Sequence, residues 1–439
     1  GDKGGMRLRI ESIAAPAAIG AVALALAACG GGDPATGSGG ASSSSSSAST
    51  GGSGGGTGGG FACDASGVSK GPWAQHIDDT SARVRFEACR ADAEGGVVFA
   101  PESGGPSKTV QSTAAEYVVK HTYDAPLNPA APPDAAGTYW LHSATIEGLS
   151  PGVCYRYHLA ADAARAGRFC AAHPSGDDLR FFVIGDTNPG LGDYAKDVLR
   201  HTMPLGPEFT LHGGDIQYYS SGLETWNLWF SIMQPMLSQG GFFPAVGNHE
   251  IENTTEYDEF TLRYFGDAGF EGDSTHYTFE NAGIHFFSLD TQDPIDPGSL
   301  QGGWLAQKLD EASQSPGYRF SIVYFHKPLV TCGDTGDNPA ARAGLEPLFE
   351  QYRVPLVLQA HMHGYERFEL GDLTYVTSAG GGGTIGDVDA NVQRDYCTSR
   401  VVSGGFRHGI IFDVKATTLS ARVIDDQGTT RDQFSIAVP

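Results

Sequence analysis

Five short polar clusters, each placed directly after an apolar run, constrain this sequence more than any other feature. The apolar runs are typical of buried strands, because a strand covered on both faces reads as a continuous hydrophobic segment. In chain order the clusters are Gly185-Asp186, Gly213-Gly214-Asp215 with Tyr218, Gly247-Asn248-His249-Glu250, His326, and His361-Met362-His363 followed by Tyr365-Glu366-Arg367. In an α/β sheet the carboxyl ends of the strands open into one crevice. The order therefore predicts that these side chains converge on a single site.

The residue types in the clusters are those that bind metal ions. Carboxylate, amide and imidazole groups suit hard to borderline divalent or trivalent ions. Singly, each cluster has an ordinary explanation, since a Gly-Asp pair is usually a turn and a lone histidine after a strand is more often a hydrogen-bonded core residue. The ordered set of five, with no competing constellation elsewhere in the sequence, favours a metal site.

Residues 178–439 alternate strands and helices, which predicts a layered αββα domain. The predicted strands are 179–184, 209–212, 242–246, 275–280, 283–289, 320–325, 356–359 and 373–377, with hairpin strands between 409 and 436. Helices are predicted at 193–203, 223–239, 303–313 and 340–352. Trp226, Trp229 and Trp304 fall at helical positions and are predicted to be core residues.

Residues 61–175 predict a β-sandwich, because short runs of strand-forming residues alternate with turns rich in Pro, Gly and Asp. The stretch from Ala144 to Tyr157 resembles the corner of a fibronectin type III domain. The predicted fold class is thus a fibronectin III-like β-sandwich followed by a layered αββα domain. A sandwich without a catalytic cluster is usually a spacer or a binding module.

Residues 1–29 have the layout of a secretory signal, with a short basic stretch after Met6 and an apolar run that ends at Cys29. Small residues before that cysteine resemble a bacterial lipobox, which implies a lipid on Cys29, and Gly30 favours the outer membrane. A plain signal peptide and an uncleaved anchor are the alternatives. Residues 30–60 are nearly all Gly, Ser, Thr and Ala and predict a flexible tether. We therefore expect an exported protein in the periplasm or at the cell surface.

Charge and cysteine content limit the partners. The 28 Lys+Arg and 51 Asp+Glu residues give a net charge of −23, which argues against nucleic acid or an anionic membrane surface. The oligomeric state stays open.

Six cysteines follow Cys29, an even set that fits up to three disulfides in an exported chain. Cys332 is expected to pair with Cys397, whereas the pairing is open among the four N-terminal cysteines: Cys63, Cys89, Cys154 and Cys170.

The ordered clusters resemble the blocks of the calcineurin-like metallophosphoesterase superfamily, which read GD, GD, GNH[DE], a histidine after a strand, and GHxH. The tyrosine three residues after the second Asp and the "HxHxYER" ending are similar to purple acid phosphatases. The resemblance implies a binuclear centre of Fe(III) and a divalent Zn, Fe or Mn ion. The iron would be held by Asp186, Asp215, Tyr218 and His363, and the divalent ion by Asp215, Asn248, His326 and His361, so that Asp215 is the bridge.

This resemblance further implies hydrolysis of phosphate monoesters by attack of a metal-activated hydroxide, with His249 donating to the phosphate or the leaving oxygen. Small phosphorylated molecules are the implied substrates. A phosphodiesterase or nucleotide pyrophosphatase on the same scaffold and a non-catalytic surface-binding lipoprotein are the alternatives. Glu366 and Arg367 are expected to support the histidine loop.

The sequence departs from the family pattern at three places. The first block reads Asp186-Thr-Asn-Pro where Asp-x-Gly is usual, and Ala360 stands where the last block usually has Gly. The substrate-contacting histidines that plant-type members carry after the strand-end histidine are missing. Either Arg342 or Lys327 could replace them, or the leaving-group acid differs. Gly380–Gly383 is expected to be a turn at the rim of the site.

Overall fold

The computed structural model of the chain describes residues 63–91, 95–119, 136–216, 218, 226–251, 263–266 and 275–438. The expected signal sequence, the expected lipid attachment at Cys29 and the expected tether lie outside the described residues. The residues described from Cys63 onward form one compact unit, and the division at residue 175 stays a prediction. Over these ranges, no helix combines the length and the apolar character needed to cross a membrane.

The described strands are, in chain order, β1 (Val68–Gln75), β2 (Ser81–Ala88), β3 (Gly96–Pro101), β4 (Lys108–Gln111), β5 (Thr113–Val119), β6 (Gly137–Glu147), β7 (Cys154–Leu159), β8 (Ala166–Cys170), β9 (Leu179–Ile184), β10 (Phe209–His212), β11 (Gly241–Pro244), β12 (Tyr277–Asn281), β13 (Ile284–Ser288), β14 (Phe320–Tyr324), β15 (Leu356–Gln359), β16 (Tyr365–Leu370), β17 (Leu373–Ser378), β18 (Arg400–Gly404), β19 (His408–Lys415), β20 (Thr418–Asp425) and β21 (Thr430–Ala437). The α-helices are α1 (Tyr194–Thr202), α2 (Trp226–Leu237), α3 (Leu300–Ser313) and α4 (Pro339–Gln351).

The strands form three sheets. The largest has the order β21-β20-β19-β9-β10-β11-β1-β2-β6-β5, the second β12-β13-β14-β15-β17-β16-β18, and the third β4-β3-β7-β8. Strands β9, β10 and β11 run parallel in the first sheet, as do β13, β14, β15 and β17 in the second. The carboxyl ends of the parallel strands therefore share one edge in each sheet.

Alternation of side chains along the strands produces the layers. In β9, Phe181 and Val183 join the core between the two large sheets, whereas Phe182 and Ile184 pack with α1 and α2 on the outer face. Helices α3 and α4 cover the outer face of the second sheet. The part of the chain from β9 onward is thus layered α-β-β-α, as predicted from the alternation of strands and helices.

Local sequence sets the start of both helices on the second sheet. The Ser299 side chain accepts a hydrogen bond from Gly302 N and caps α3. Asn338 caps α4 in the same way, with Pro339 at the first helical position, where its missing N–H costs nothing. Trp226 and Trp229 are buried as expected, but Trp304 is only half-buried, at the edge of the α3 core.

The N-terminal strands divide between two sheets. β1, β2, β6 and β5 extend the ten-stranded sheet, which β1 joins through parallel pairing of Ala74 with Gly241 on β11. The remaining four strands, β3, β4, β7 and β8, form the four-stranded sheet. This continuity with the strands from β9 onward was not part of the sequence expectation.

Three disulfides close loops in the described chain. Cys332 pairs with Cys397, as expected. The pairing that the sequence left open is Cys63 with Cys89 and Cys154 with Cys170. Three disulfides fit a protein that matures in an oxidising compartment.

Candidate metal centre

The predicted ligands all follow strand ends. Asp186 follows β9 and Asp215 follows β10, while Asn248 and His249 lie just beyond β11. His326 follows β14 in the second sheet, and His361 and His363 lie between β15 and β16. The edges of the two sheets face one another, so side chains that are far apart in sequence meet in one crevice.

One group of donor atoms gathers around the His326 ring. His326 Nε2 lies 3.2 Å from Asp215 Oδ2, 3.0 Å from His361 Nδ1 and 3.1 Å from Asn248 Oδ1. These are the four residues expected to hold the divalent ion, and the structure brings them together.

A second group gathers around Tyr218. Its hydroxyl donates to Asp186 Oδ1 at 3.0 Å and lies 2.8 Å from His363 Nε2. His363 Nε2 is in turn 3.2 Å from Asp186 Oδ1. The expected ligands of the trivalent ion therefore also meet, and Tyr218 belongs to the group.

The two groups share Asp215. The ligand atoms of Asp215, His326 and His361 lie within 4.8 Å of one another, and those of Asp186, Asp215 and His363 satisfy the same limit. Carboxylate, imidazole, amide and phenol donors facing one another at such distances fit two cations joined by a bridging carboxylate. The residues present thus fit a binuclear centre.

Hydrogen bonds on the far side of the rings orient two of the histidines. His326 Nδ1 lies 2.9 Å from Gly213 O, and His363 Nδ1 lies 2.7 Å from Thr384 O. A carbonyl oxygen can only accept, so each Nδ1 carries a proton, and when the ring is neutral its Nε2 directs a lone pair at the cluster. Such outer bonds fix the tautomer of metal-binding histidines.

The charges of the cluster shift its pKa values. Burial alone would raise the pKa of Asp215, but the nearby His326 and His249 rings hold it below its ordinary value. Burial lowers and the Asp215 and Asp186 carboxylates raise the pKa of His326, with a net rise to about 9. Burial, followed by the Asp186 carboxylate, raises the pKa of the Tyr218 phenol well above its usual range. A cation is therefore needed to ionise that phenol and to displace protons from the ligand set.

Three ligand residues have left-handed backbone conformations. The φ angles are 58° at Asp186, 50° at Asp215 and 69° at His361. Such conformations cost non-glycine residues about 1–3 kcal/mol each and persist only where the surroundings enforce them. Here Asp186 N donates to Gly214 O and Thr187 N donates to Asp215 O, both at 3.0 Å. The strand-end loops thus hold each other in the geometry that presents the ligands.

Two glycines allow this close packing. An added Cβ at Gly247 would lie 2.2 Å from Asp215 Oδ1, and one at Gly383 would lie 2.7 Å from His363 Cε1. Gly383 N donates to Asp186 O at 3.0 Å. The turn expected at Gly380–Gly383 therefore does lie against the site.

Glu250 is a functional residue whose role the sequence interpretation missed. Its Oε2 accepts from Asp215 N at 2.8 Å and from Gly247 N at 2.7 Å, while Oε1 accepts from Ile216 N at 2.8 Å. One buried carboxylate thus joins the second and third ligand loops. Burial and repulsion from Asp215 raise the pKa of Glu250. Its place in the Gly247–Glu250 cluster was the only available signal.

Thr187 explains part of the unusual first block. Its hydroxyl donates to Ile216 O at 2.6 Å and accepts from Trp229 Nε1 at 3.0 Å. His212 Nε2 lies 2.9 Å from the same oxygen, and Gly214 N donates to His212 Nδ1 at 3.2 Å. Burial lowers the pKa of His212 to about 3, which fits the neutral ring that these bonds require. His212 is therefore structural and braces the loops behind the expected ligands.

His249 lies beside the centre. Its ring is 4.0 Å from the Tyr218 ring, centroid to centroid, and its Nε2 is 3.8 Å from Asp215 Oδ2. The backbone N–H of His249 donates to Asp215 Oδ1 at 2.9 Å. The side chain keeps 24% of its surface exposed, so it can reach a molecule bound in the crevice.

Glu366 and Arg367 bind elements around the histidine loop. Glu366 Oε2 accepts from Thr331 Oγ1 at 2.7 Å, and its Oε1 accepts from Cys332 N at 2.9 Å and from Arg400 Nη1 at 3.0 Å. Arg367 pairs with Asp432 at 2.7 Å. Both side chains thus bind neighbouring segments, and the supporting role expected of them toward the histidine loop stays a prediction.

The class of the domain follows from comparison with known proteins. Residues 179–365 match the calcineurin-like phosphoesterase family. This segment runs from β9 to the start of β16 and contains all seven predicted ligands together with His249. The chain therefore carries a calcineurin-like metallophosphoesterase domain.

Individual relatives are purple acid phosphatases. The probable purple acid phosphatase 20 of Arabidopsis thaliana is 25% identical over 240 residues, which cover 52% of this chain and 55% of that protein. Purple acid phosphatase 1 of Ipomoea batatas is 26% identical over 321 residues, 64% of this chain and 66% of that protein. The matched part of the chain thus spans between half and two thirds of these relatives' length.

A solved structure shares the fold. The purple acid phosphatase PPD1 from yellow lupin (Lupinus luteus) seeds superposes with a TM-score of 0.65 at 16% identity, covering 84% of this chain and 75% of that one. The share of the chain that is covered is larger than the α-β-β-α layers from β9 onward.

Proposed function

We propose that this protein is an exported phosphomonoesterase with a binuclear metal centre that hydrolyses small phosphorylated substrates. The observation that carries the proposal is the pair of ligand triads that share Asp215, with the half-exposed His249 beside the shared carboxylate. The purple acid phosphatase relatives support the same reaction class.

Two metal ions in these positions would act as Lewis acids that bind the phosphate oxygens, and they would lower the pKa of a bound water molecule. Residues of the chain would position the ligands and donate protons or hydrogen bonds. Asp215 fixes the spacing of the two triads, and the outward hydrogen bonds of His326 and His363 keep their Nε2 atoms aimed inward. His249 is placed to donate a proton or hydrogen bond to the phosphate or to the leaving oxygen.

We further propose Fe(III) on the Tyr218 side and a divalent Zn, Fe or Mn ion on the His326 side. A phenol and two carboxylates are hard donors that suit a trivalent ion, whereas two imidazoles and an amide suit a divalent one. Because the Tyr218 pKa is raised in the metal-free chain, a strongly polarising cation is required to make it a phenolate ligand.

Export through a lipobox-type signal, with a lipid on Cys29 as the only membrane attachment, is part of the proposal. The three disulfides support it, because disulfides persist in oxidising compartments. The net charge of −23 supports small phosphorylated molecules rather than nucleic acid as partners.

The test compares two substrates with one leaving group. The full chain, purified with its metal content measured, is assayed on 4-nitrophenyl phosphate and on bis(4-nitrophenyl) phosphate, beside the Asp215→Asn variant. We expect the monoester to react at least about tenfold faster in kcat/KM and the variant to be inactive. A faster reaction with the bis-ester would identify a phosphodiesterase instead. Rates equal to those of the variant on both esters would leave a non-catalytic binding protein.

A further inference from the structure

The backbone around Asp215 is hydrogen-bonded at every polar group of residues 214–216. Its three N–H groups donate to two side chains. Gly214 N donates to His212 Nδ1 at 3.2 Å, and the next two N–H groups donate to the Glu250 carboxylate at 2.8 Å each. His212 and Glu250 are both buried, so these bonds lie in a region of low dielectric, where hydrogen bonds are strong.

The three carbonyl oxygens of this segment accept from the loop that follows β9. Asp186 N donates to Gly214 O and Thr187 N donates to Asp215 O, both at 3.0 Å. The Thr187 hydroxyl donates to Ile216 O at 2.6 Å. Thr187 thus binds two of the three carbonyl groups, one through its backbone and one through its side chain. Because every N–H and C=O group of the segment has a partner within the chain, its backbone needs no metal ion to be satisfied.

The Thr187 hydroxyl uses its full capacity for hydrogen bonds, which is one as donor and two as acceptor. Its proton goes to Ile216 O, since a carbonyl oxygen can only accept. It accepts from Trp229 Nε1 at 3.0 Å and from His212 Nε2 at 2.9 Å. The methyl group packs against Gly381, where an added Cβ would lie 2.7 Å from Thr187 Cγ2. The side chain is buried, and contacts on both of its branches hold its rotamer.

Two independent bonds require the same form of the His212 ring. Nε2 must carry a proton, because the only proton of the Thr187 hydroxyl is directed at Ile216 O. Nδ1 must lack a proton, because it accepts from Gly214 N. The neutral ring protonated on Nε2 meets both conditions. Thr187 therefore also orients the histidine that binds the first N–H of the segment.

These bonds hold Asp215 in a conformation that it would not adopt by itself. Its φ angle is 50°, and a non-glycine residue keeps such a left-handed conformation only where its surroundings enforce it. In this conformation Asp215 Oδ2 lies 3.2 Å from His326 Nε2. Release of the loop would move the carboxylate that both ligand triads share.

We propose that Thr187 is a positioning residue, which holds the shared Asp215 carboxylate in its ligand geometry before any metal ion binds. The inference rests on the proposed function in one respect, because the ligand that it positions belongs to the proposed centre. Thr187 itself would not be a ligand, since its hydroxyl has no capacity left for a further bond. Loss of the hydroxyl should therefore weaken the binding of both metal ions through Asp215.

The first experiment measures metal affinity by chelator competition in the full chain, for the parent and three variants. Thr187→Val keeps the shape of the side chain and removes the hydroxyl, whereas Thr187→Ser keeps the hydroxyl. Thr202→Val is the matched control, since the buried Thr202 hydroxyl donates to Val198 O at 2.9 Å within α1. We expect Thr187→Val to weaken the binding of both ions by about tenfold or more, as for other residues that orient ligands, with Thr187→Ser within about threefold of the parent and Thr202→Val within about twofold.

The second experiment measures hydrogen exchange in the parent, by mass spectrometry of peptides, before and after a chelator removes the metal ions. We expect the amides of residues 214–216 to stay protected in the metal-free chain, with exchange faster by less than about tenfold, because bonds within the chain hold them. This measurement needs no variant, so it tests the proposal even if Thr187→Val does not fold.

Metal affinity within about twofold of the parent in a folded Thr187→Val variant would overturn the proposal. An equal loss in Thr187→Val and Thr187→Ser would also overturn it, because the hydroxyl would then not be the cause. Loss of protection at residues 214–216 on removal of the metals would do the same. Neither measurement needs turnover. A chain that binds its metals in this way but hydrolyses neither nitrophenyl ester would refute the proposed function and leave the role of Thr187 standing.

Discussion

The metal centre and the cluster around Lys70 and Glu87 are both buried polar regions, but they are completed in different ways. Near the junction of the N-terminal strands with α2, Lys70 Nζ lies 2.6 Å from Glu87 Oε1 and Tyr264 donates to Glu87 Oε2 at 2.8 Å. That cluster contains both signs of charge. In the metal centre the described ion-pair partners of Asp186 and Asp215 are histidines alone.

The difference teaches what each region needs. A buried carboxylate requires a compensating charge. The Glu87 carboxylate has its cation within the chain, so its cluster is complete when the protein folds. Among the described residues, the carboxylates of the metal centre pair only with histidine rings, and cations must displace protons from those rings, so that region reaches its working form only with cations bound. Substitutions in the first cluster should act on stability, and those in the second on metal binding and activity.

The largest expected effect is that of Asp215→Asn. Because Asp215 belongs to both triads, its loss should release both metals and lower activity by at least about a thousandfold, equivalent to several kcal/mol of catalysis. The metal-free variant should still fold, since the amide keeps the volume and can still accept the His249 N–H. Metal analysis and calorimetry check this. Retention of two metals by the variant would contradict the sharing of Asp215.

Glu87→Gln changes the other cluster and should affect stability and not metal binding. It leaves Lys70 buried without its counterion and should lower the free energy of unfolding by about 3 kcal/mol, measured by urea denaturation. Metal content should remain that of the parent. The double variant Lys70→Met/Glu87→Gln should recover part of the stability, because the unpaired charge is gone. An unchanged unfolding midpoint, or loss of metal in Glu87→Gln, would erase the contrast between the two regions.

Glu250→Gln tests a residue that belongs to the metal centre without being a ligand. An amide cannot accept on both of its ends, so at least one of the three backbone N–H bonds to Glu250 is lost. We expect metal affinity to fall by about tenfold or more, as for other residues that orient ligands. Chelator competition measures it. Glu280→Gln is the matched control, since Glu280 accepts from Gly283 N at 2.7 Å away from the centre. Equal metal affinities in the two variants would refute the role assigned to Glu250.

The smallest expected effect concerns His173, which lies between β8 and β9. Its Nε2 is 2.6 Å from Glu208 Oε2. This hydrogen bond, opposed by burial, raises the pKa of His173. The pair therefore stabilises the fold fully below the unfolded-state pKa of about 6.5, and the stabilisation is lost as pH rises through the higher folded-state pKa. Relative to His173→Gln, the parent should be more stable by up to about 1 kcal/mol at pH 5.5 and equal at pH 9. A difference that grows with pH would contradict the assignment.

The ligands could be predicted from the sequence because each follows a recognisable apolar strand and belongs to an ordered block. All seven side chains meet as expected, and the helices and strands of the α-β-β-α layers fall close to the predicted ranges. The strand Tyr365–Leu370 was not predicted, since its first residues read as the end of a polar ligand block.

Long-range pairing could not be predicted in the same way. Nothing in the residues around Ala74 marks them as parallel neighbours of Gly241, because backbone hydrogen bonds carry no residue code. The bonds of Glu250 and Thr187 are similar, since both side chains bind main-chain groups of loops that only the fold brings near. The partner of Arg342, by contrast, lies four residues away on the same helix face, where i and i+4 side chains meet.

The most direct test of the account is the metal content of the full chain, measured by mass spectrometry together with its visible absorption spectrum. The account predicts two metal ions per chain, one of them iron, and a tyrosinate-to-iron absorption band that disappears in Tyr218→Phe. One ion or none per chain, after reconstitution with iron, zinc and manganese, would contradict the binuclear centre built on Asp215.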